Sequence, residues 1–438
     1  MSSQCWLAIV AALSLIVCHF PSVTGLDDGL AIQPPMGFRT WNGYDGDIDE
    51  TLIKSIIVAL TKRTRSVNGV PTSLSDLGYY RLGIDDGWQA CGAGKSSSYH
   101  ADDGTPLVNR TRFHNLKELV NIGHEHGLLM DFYHINCICL DSYILNKNRT
   151  WANLAWRGNV RQIRDAGFDG VKIDNCGDDD GLGYATMMDE IKQTGKPILV
   201  ENCNQAHGQG PPRGLPTNAS GWCDMHMYRT GGDIRSNFDD TMRKLQTTIP
   251  FQDVDQPISR PGCWAFPDML EVGNFGSTDL ATVESKSHFF AWCIVSSPLF
   301  ISFDVTNDAI VDRIWPIISN LEAISINQEW AGHPGRLIST DGQGEIWTKK
   351  LKDGCQAVLF LNRGEEPITL SITLGELGVK AGEYLIRDIW RHRTLEKTVS
   401  NKLSAPKIGR HDCWFVKLSL PLKTNDFTTG NIIDAVSR

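Results

Sequence analysis

The chain has 438 residues, 41% of them hydrophobic and 21% charged, with a net charge of −9 and no block of basic residues. That length exceeds what one small core supports, so a large domain with a smaller companion is the expected layout. The acidic balance argues against nucleic acid or an anionic membrane as partner and suits a neutral ligand.

Taken in chain order, residues 1–25 carry no Lys, Arg, Asp or Glu, and the apolar run Cys5–Phe20 precedes the small-residue spacing Val23-Thr24-Gly25. This predicts a secretory signal removed near Gly25, although its leading end lacks a Lys or Arg. A retained anchor is the competing reading, but the apolar run barely spans a bilayer. No later segment is long and apolar enough to span, so no membrane association is expected after signal removal. Export fits the ten cysteines left after removal, an even number as disulfides require. It also fits three N-x-[ST] sequons, at Asn109, Asn148 and Asn218. Secretion and retention in a lysosome or vacuole both remain open.

From residue 26 to 335, short apolar runs alternate with amphipathic segments. Candidate strands are Met36–Trp41, Tyr79–Asp85, Leu128–His134, Gly170–Asp174, Pro197–Glu201, Cys223–Tyr228 and Leu299–Phe303, with helical patterns such as Asn115–His126 and Trp156–Ala166 between them. Repeated β-then-α units predict a parallel sheet, and the span suits a (β/α)₈ TIM barrel. A doubly wound open sheet is the alternative, but no glycine-rich phosphate loop follows the first strand. Residues 336–425 read differently. Glu345–Leu351, Gln356–Leu361, Ile368–Ser371, Tyr384–Asp388 and Cys413–Leu420 are short runs broken by Gly, Pro and charged turns, as in an antiparallel β domain. Cys355 and Cys413 are its only cysteines and flank strands, which predicts a bridge between them. Residues 426–438 form a polar tail.

Polar clusters recur where the strands end: Trp41-Asn42, Asp85-Asp86-Gly87-Trp88, Tyr133-His134, Lys172 and Asp174, Asn202-Cys203-Asn204, Arg229 to Asp233, and Pro267-Asp268-Met269. In a TIM barrel those ends converge on one mouth, where active sites are built. Side chains alternate along a strand, so Lys172 and Asp174 share a face, and the ammonium favours an ionised carboxylate. Arg229, four residues before Asp233, is placed to steer the charge balance. An internal ion pair of purely structural role is the bland account of Lys172 and Asp174. Asp178-Asp179-Asp180 suggests a metal, but consecutive side chains diverge and make a poor cage; Cys137-Ile138-Cys139 lacks the second pair a zinc site needs. No metal and no cofactor are expected.

The segments "PPMGFRTWN" (34–42), "LGIDDGW" (82–88), "GVKIDNC" (170–176), "YRTGGDI" (228–234), "PDMLEVGN" (267–274), "SSPLFISFDV" (296–305) and "ISINQEWAG" (324–332) follow one another in a familiar order. Together they resemble the α-galactosidase (melibiase) family, glycoside hydrolase family 27. That resemblance implies a (β/α)₈ barrel followed by a C-terminal β-sandwich, and retaining hydrolysis of terminal α-D-galactosyl residues. It implies Asp174 as nucleophile and Asp233 as acid/base, since retention uses two carboxyl groups about 5–5.5 Å apart. It further implies Asp85 and Asp86 on the sugar's 4- and 6-hydroxyls, Trp41 against its C–H face, and Tyr133 and Asp268 as contacts or supports. By the same resemblance Cys139 bridges Cys176 and Cys203 bridges Cys223, with the alternative that Cys137 takes Cys176 and Cys91 takes Cys139.

The sequence also departs from that pattern. Cys203-Asn204-Gln205 stands where the family's galactosidases have Cys-Glu-Trp. Asn204 keeps a hydrogen bond to the 2-hydroxyl without the charge, which leaves room for an α-N-acetylgalactosaminidase or a β-L-arabinopyranosidase. A catalytically silent galactose-binding protein is a further alternative. The expected partner is a galactose-containing oligosaccharide or glycoconjugate, and a homodimer is left open.

Overall fold

The computed structural model describes residues 28–135, 138–139, 148–174, 182–203, 223, 225–380 and 382–421. The predicted signal, the polar tail, the Asp178–Asp180 run, Cys176, Asn204 and Asn218 lie outside them.

Eight short parallel strands form the first sheet: β1 (Met36–Arg39), β2 (Arg81–Gly83), β3 (Leu129–Ile135), β4 (Gly170–Asp174), β5 (Leu199–Asn202), β6 (Met227–Arg229), β7 (Trp264–Phe266) and β8 (Leu299–Ile301). They are ordered β8-β1-β2-β3-β4-β5-β6-β7. The two ends meet just past β7, where Leu270 N donates to Phe300 O at 2.7 Å and Leu270 pairs with Ile301, so the sheet closes into a barrel. Closure removes the sheet edges. Around it lie α1 (Glu50–Thr61), α2 (Leu116–Glu125), α3 (Arg149–Ala166), α4 (Leu182–Thr194), α5 (Phe238–Gln246), α6 (Asp279–Ile294), α7 (Asp308–Ile318) and α8 (Leu321–Gln328).

Local sequence sets these helices. Asp49, Asn115, Asn148, Asn237, Thr278, Asn307 and Asn320 each accept a hydrogen bond from a first-turn N–H, satisfying a donor the helix leaves open. In α3, Ala152, Ala155, Trp156, Asn159, Ile163 and Ala166 fall on one buried stripe, and Gly167, in the left-handed region at φ 91°, stops the helix.

β9 (Arg336–Asp341), β10 (Gly344–Lys350), β11 (Gln356–Asn362), β12 (Ser371–Thr373), β13 (Tyr384–Asp388), β14 (Arg393–Val399), β15 (Lys402–Ser404) and β16 (Cys413–Ser419) build the C-terminal part. Six of them form one antiparallel sheet, β9-β10-β11-β16-β13-β14, while β12 pairs with β15. Strand alternation divides this sheet cleanly. Trp347, Ala357, Leu359, Leu361 and Phe415 join the barrel's core beside Phe289 and Phe290 of α6. Ile346, Val358, Phe360, Trp414, Val416 and Leu418 pack into a second core with Ile372 and Leu403. Both faces are covered, which is why β11 reads as an unbroken apolar run.

The expected strands are present, some with the expected limits and others shortened or shifted at an end by one to four residues, and β7, β9, β14 and β15 add to them, as does a hairpin of Arg65–Val67 with Val70–Thr72. β7 escaped notice because it is three residues long and follows Pro261-Gly262. The predicted Cys355–Cys413 bridge is absent, and both cysteines are free thiols. Gln356 pairs with Leu418 and Leu361 with Cys413, so the two cysteines sit at opposite ends of the β11–β16 ladder. That separates them by roughly 20 Å at about 3.4 Å per residue, far beyond the reach of a disulfide.

Gly158, inside α3, is buried against the loop that holds Gly104. A Cβ at 158 would lie 1.8 Å from the Gly104 carbonyl oxygen. Helix propensity alone favours alanine over glycine by about 1 kcal/mol. We expect Gly158→Ala instead to destabilise the fold, by about 1–3 kcal/mol. Urea denaturation of the variant measures this, and a gain in stability would contradict the close approach.

Candidate active site

The barrel registers place Arg39, Arg81, Asp131, Tyr133, Lys172, Asp174, Glu201 and Arg229 on interior-facing positions. Asp131 pairs with Gly170, Tyr133 with Lys172, and Lys172 with Glu201 across neighbouring strands. At Gly170 a side chain is excluded, since a Cβ there would lie 2.3 Å from an Asp131 carboxyl oxygen.

These buried charges come in pairs. Arg81 grips Asp131 through two nitrogens, at 2.5 and 2.9 Å. Arg39 donates to Glu201 at 2.5 Å and approaches Asp85 at 3.8 Å. Lys172 Nζ donates to Asp85 Oδ2 at 3.0 Å, and Arg229 holds Asp268 at 2.7 Å. All eight side chains are almost wholly withdrawn from solvent. Burial favours neutral Lys172, but the charges of Asp85, Asp174 and Glu201 outweigh it and hold its pKa above the ordinary value. Burial opposes the charge on Arg229 too, and Asp268 and Asp233 overcome it.

The two acids that stand out in the sequence lie at the solvent-facing end of this cluster. Asp174, half-buried at the C-terminal end of β4, accepts a 2.8 Å hydrogen bond from the Tyr133 hydroxyl. Lys172 Nζ sits 5.0 Å from the centre of the Tyr133 ring. Asp233 follows β6 on an exposed turn and receives Arg229 at 3.0 Å. Partial burial pushes its carboxyl up, but Arg229 and Lys172 win and hold it below the usual carboxylate range. Lys172 therefore acts electrostatically on both acids.

The remaining candidates divide by exposure. Asp85 is buried as the partner of Lys172, whereas half-buried Asp86 lies nearer solvent, and burial raises its pKa. Trp41 opens a single helical turn, Trp41–Tyr44, and is half-buried beside the apolar floor formed by Met227, Phe266, Met269 and Phe300. Asp268 is fully buried and serves as a buttress. Its carboxylate accepts from Ile234 N and Met269 N, both at 2.8 Å, as well as from Arg229. Its backbone adopts φ 123°, strained for a non-glycine residue, and Trp292 Nε1 donates to its carbonyl at 2.8 Å. It thus fixes the turn that carries Asp233.

The disulfide pattern follows the alternative pairing at Cys139 and departs from the expected one at Cys203 and Cys223. Cys139 bonds to Cys91, tying the loop after β2 to the end of β3. Cys223 bonds to Cys263, and Cys203 is a free thiol that accepts from Arg229 at 3.3 Å. The reason is polarity of the parallel strands. Cys203 follows the C-terminal end of β5, while Cys223 and Cys263 precede the N-terminal ends of β6 and β7. They sit on opposite mouths of the barrel. Arg39 and Glu201 escaped the sequence reading, although a carboxylate inside "PILVEN" at the parity of Lys172 was a usable signal. Asn109 and Asn148 are half-buried and exposed, with their side-chain oxygens already bonded to Thr111 and to the start of α3. Among the described residues no cluster of metal-ligating side chains and no membrane-spanning helix occurs.

A closed (β/α)₈ barrel with two carboxylates at its C-terminal mouth is an arrangement that glycoside hydrolases use. Residues 33–329 match the family model described as alpha galactosidase A, and residues 341–418 match the alpha galactosidase C-terminal beta sandwich domain. The chain belongs to the α-galactosidase (melibiase) family. It is similar to alpha-galactosidase 2 of Arabidopsis thaliana, 30% identical over 92% of this chain and 94% of that protein. It is also similar to the alpha-N-acetylgalactosaminidase of Gallus gallus, 27% identical over 83% of this chain and 88% of that one. The crystal structure of alpha-galactosidase I from Mortierella vinacea superposes with a TM-score of 0.72 at 25% identity, covering 90% of this chain and 98% of that chain.

Beneath the site, neutral His288 Nε2 accepts from Glu271 N at 2.9 Å, and burial pushes the imidazole pKa down to about 3 from 6.5. The unfolded chain takes up this proton below about pH 6.5 and the folded one does not, so the contribution of His288 is lost as pH falls from 6.5 toward 3. We expect the stability advantage of the wild type over His288→Gln, read from urea midpoints, to shrink between those limits. A constant gap would contradict the buried neutral imidazole.

Proposed function

We propose that this protein is a retaining, exo-acting glycosidase with Asp174 as nucleophile and Asp233 as acid/base. It hydrolyses terminal α-D-galactosyl residues of oligosaccharides or glycoconjugates. The observation that carries this reading is that Asp174, ending β4 and hydrogen-bonded by Tyr133 at 2.8 Å, and Asp233, following β6 and bound by Arg229 at 3.0 Å, both lie at the C-terminal mouth of the barrel.

The geometry supports a division of labour. The Tyr133 hydroxyl, donating to Asp174 at 2.8 Å, orients that carboxyl group for attack on the anomeric carbon. Asp233 delivers a proton to the leaving oxygen, then acts as base toward water when the glycosyl-enzyme is hydrolysed. Arg229 favours the ionised form that this second step needs. The first step needs Asp233 protonated, so kcat/KM should fall as pH rises from acidic to neutral. Half-buried Asp86 faces the sugar's hydroxyls, and Trp41 offers an apolar face.

Removal of residues 1–25 as a signal, glycans at Asn109 and Asn148, and delivery outside the cell or to an acidic compartment complete this reading. A second reading, acceptance of a 2-acetamido sugar, is favoured by the similarity to the Gallus gallus protein. Rates on p-nitrophenyl α-D-galactoside and its 2-acetamido counterpart separate the two. We expect the galactoside to be the better substrate, with release of the α-anomer first by NMR. Asp174→Asn should lower kcat about a thousand-fold or more while leaving the circular dichroism unchanged. Release of the β-anomer, or near-normal turnover by Asp174→Asn, would overturn the assignment.

A further inference from the structure

The turn that carries Asp233 also forms one wall of a groove of about 530 Å³, lined by Gly232, Asp233, Arg235, Asp240, Arg243 and Lys244. Its charges do not cancel. Asp233 shares Arg229 with Asp268, at 3.0 and 2.7 Å, and Asp240 pairs with Arg243 at 2.7 Å, so with Arg235 and Lys244 counted one positive charge is in excess. Among the described residues, the side chains of Arg235 and Lys244 then make no ion pair. Arg235 is exposed, but Lys244 is half-buried against the turn. Its ammonium lies 3.9 Å from where a Cβ on Gly232 would be. Burial, together with the like charge of Arg229, works against the protonated amine there, although Asp240, Asp268 and Asp233 oppose them. A cation partly withdrawn from water and held in no ion pair favours the arrival of an anion.

The position of the groove gives that anion a meaning. An acid that protonates the glycosidic oxygen stands on the leaving-group side, so atoms beyond that oxygen run past Asp233. We propose that this groove is a leaving-group subsite for an aglycone bearing a carboxylate or phosphate, held by Lys244 and Arg235. The proposal rests on the reading of Asp233 as the acid/base. Two cations of different reach, neither held in an ion pair, suit charge-assisted hydrogen bonds to a multi-oxygen anion. A bound anion would also offset the positive field that keeps Asp233 ionised, and so help the protonated acid of the first step.

The test compares 4-carboxyphenyl and 4-carbamoylphenyl α-D-galactosides, which are nearly isosteric and differ by one charge. We expect the carboxylate-to-amide ratio of kcat/KM to drop about five- to ten-fold in the Arg235→Gln/Lys244→Gln double variant. The wild-type ratio should also fall as ionic strength rises. A ratio that neither the substitutions nor salt alter would overturn the subsite, even with both substrates hydrolysed. Hydrolysis of neither substrate by folded protein would instead count against the galactosidase reading. The ratio of Kd values for the same pair, from calorimetry on the wild type and the double variant, then decides the subsite by itself.

Discussion

Inside the barrel, four cations and four acids leave water together, and each must find its counterpart there. Arg81 with Asp131, Arg39 with Glu201, Lys172 with Asp85 and Arg229 with Asp268 form a ladder of pairs through the lumen. Removing one member of such a pair strands a charge at a cost of about 3–5 kcal/mol, so the ladder is rigidly specified even if its net stabilisation is small. The apolar floor of Met227, Trp264, Phe266 and Phe300 strengthens the constraint by leaving little room for water.

Asp174 and Asp233 come in addition to these four pairs, at the end of the ladder that meets solvent. Each is tied to it by one link: Asp174 through Tyr133 and the field of Lys172, Asp233 through Arg229. The ladder thus supplies both a rigid mount and a positive field at the mouth. Asp268 spends backbone strain on the same end, fixing the turn next to Asp233 through Ile234 and Arg229. Beyond that turn the field is no longer balanced, and Lys244 and Arg235 face the groove.

Much of this was legible in the sequence for a simple reason. The period of a strand is two, so the shared face of Lys172 and Asp174 could be read directly, as could the alternation of β and α units. Glu201 obeyed the same parity but hid in an apolar run. What could not be read was which end of each strand a neighbouring residue occupies when the strand limits are uncertain. The family resemblance set Cys223 beside Cys203, whereas β6 begins only at Met227 and Cys223 lies at the other mouth and bonds Cys263. Cys355 and Cys413 failed likewise, because antiparallel register sends flanking residues to opposite ends. Asp268 was readable as a sugar contact or a support, and only its burial shows how closely it is held by Arg229 and Ile234. Residue type was readable where burial was not.

The central claim is that Asp174 is the carboxylate that attacks the sugar at the mouth of this ladder. The most direct measurement is trapping with 5-fluoro-α-D-galactopyranosyl fluoride, whose good leaving group lets a slowed glycosyl-enzyme accumulate, followed by peptide mass spectrometry. The account predicts one galactosyl adduct, on the peptide holding Asp174 and on that carboxylate. An adduct on Asp233 or on any other residue would contradict it.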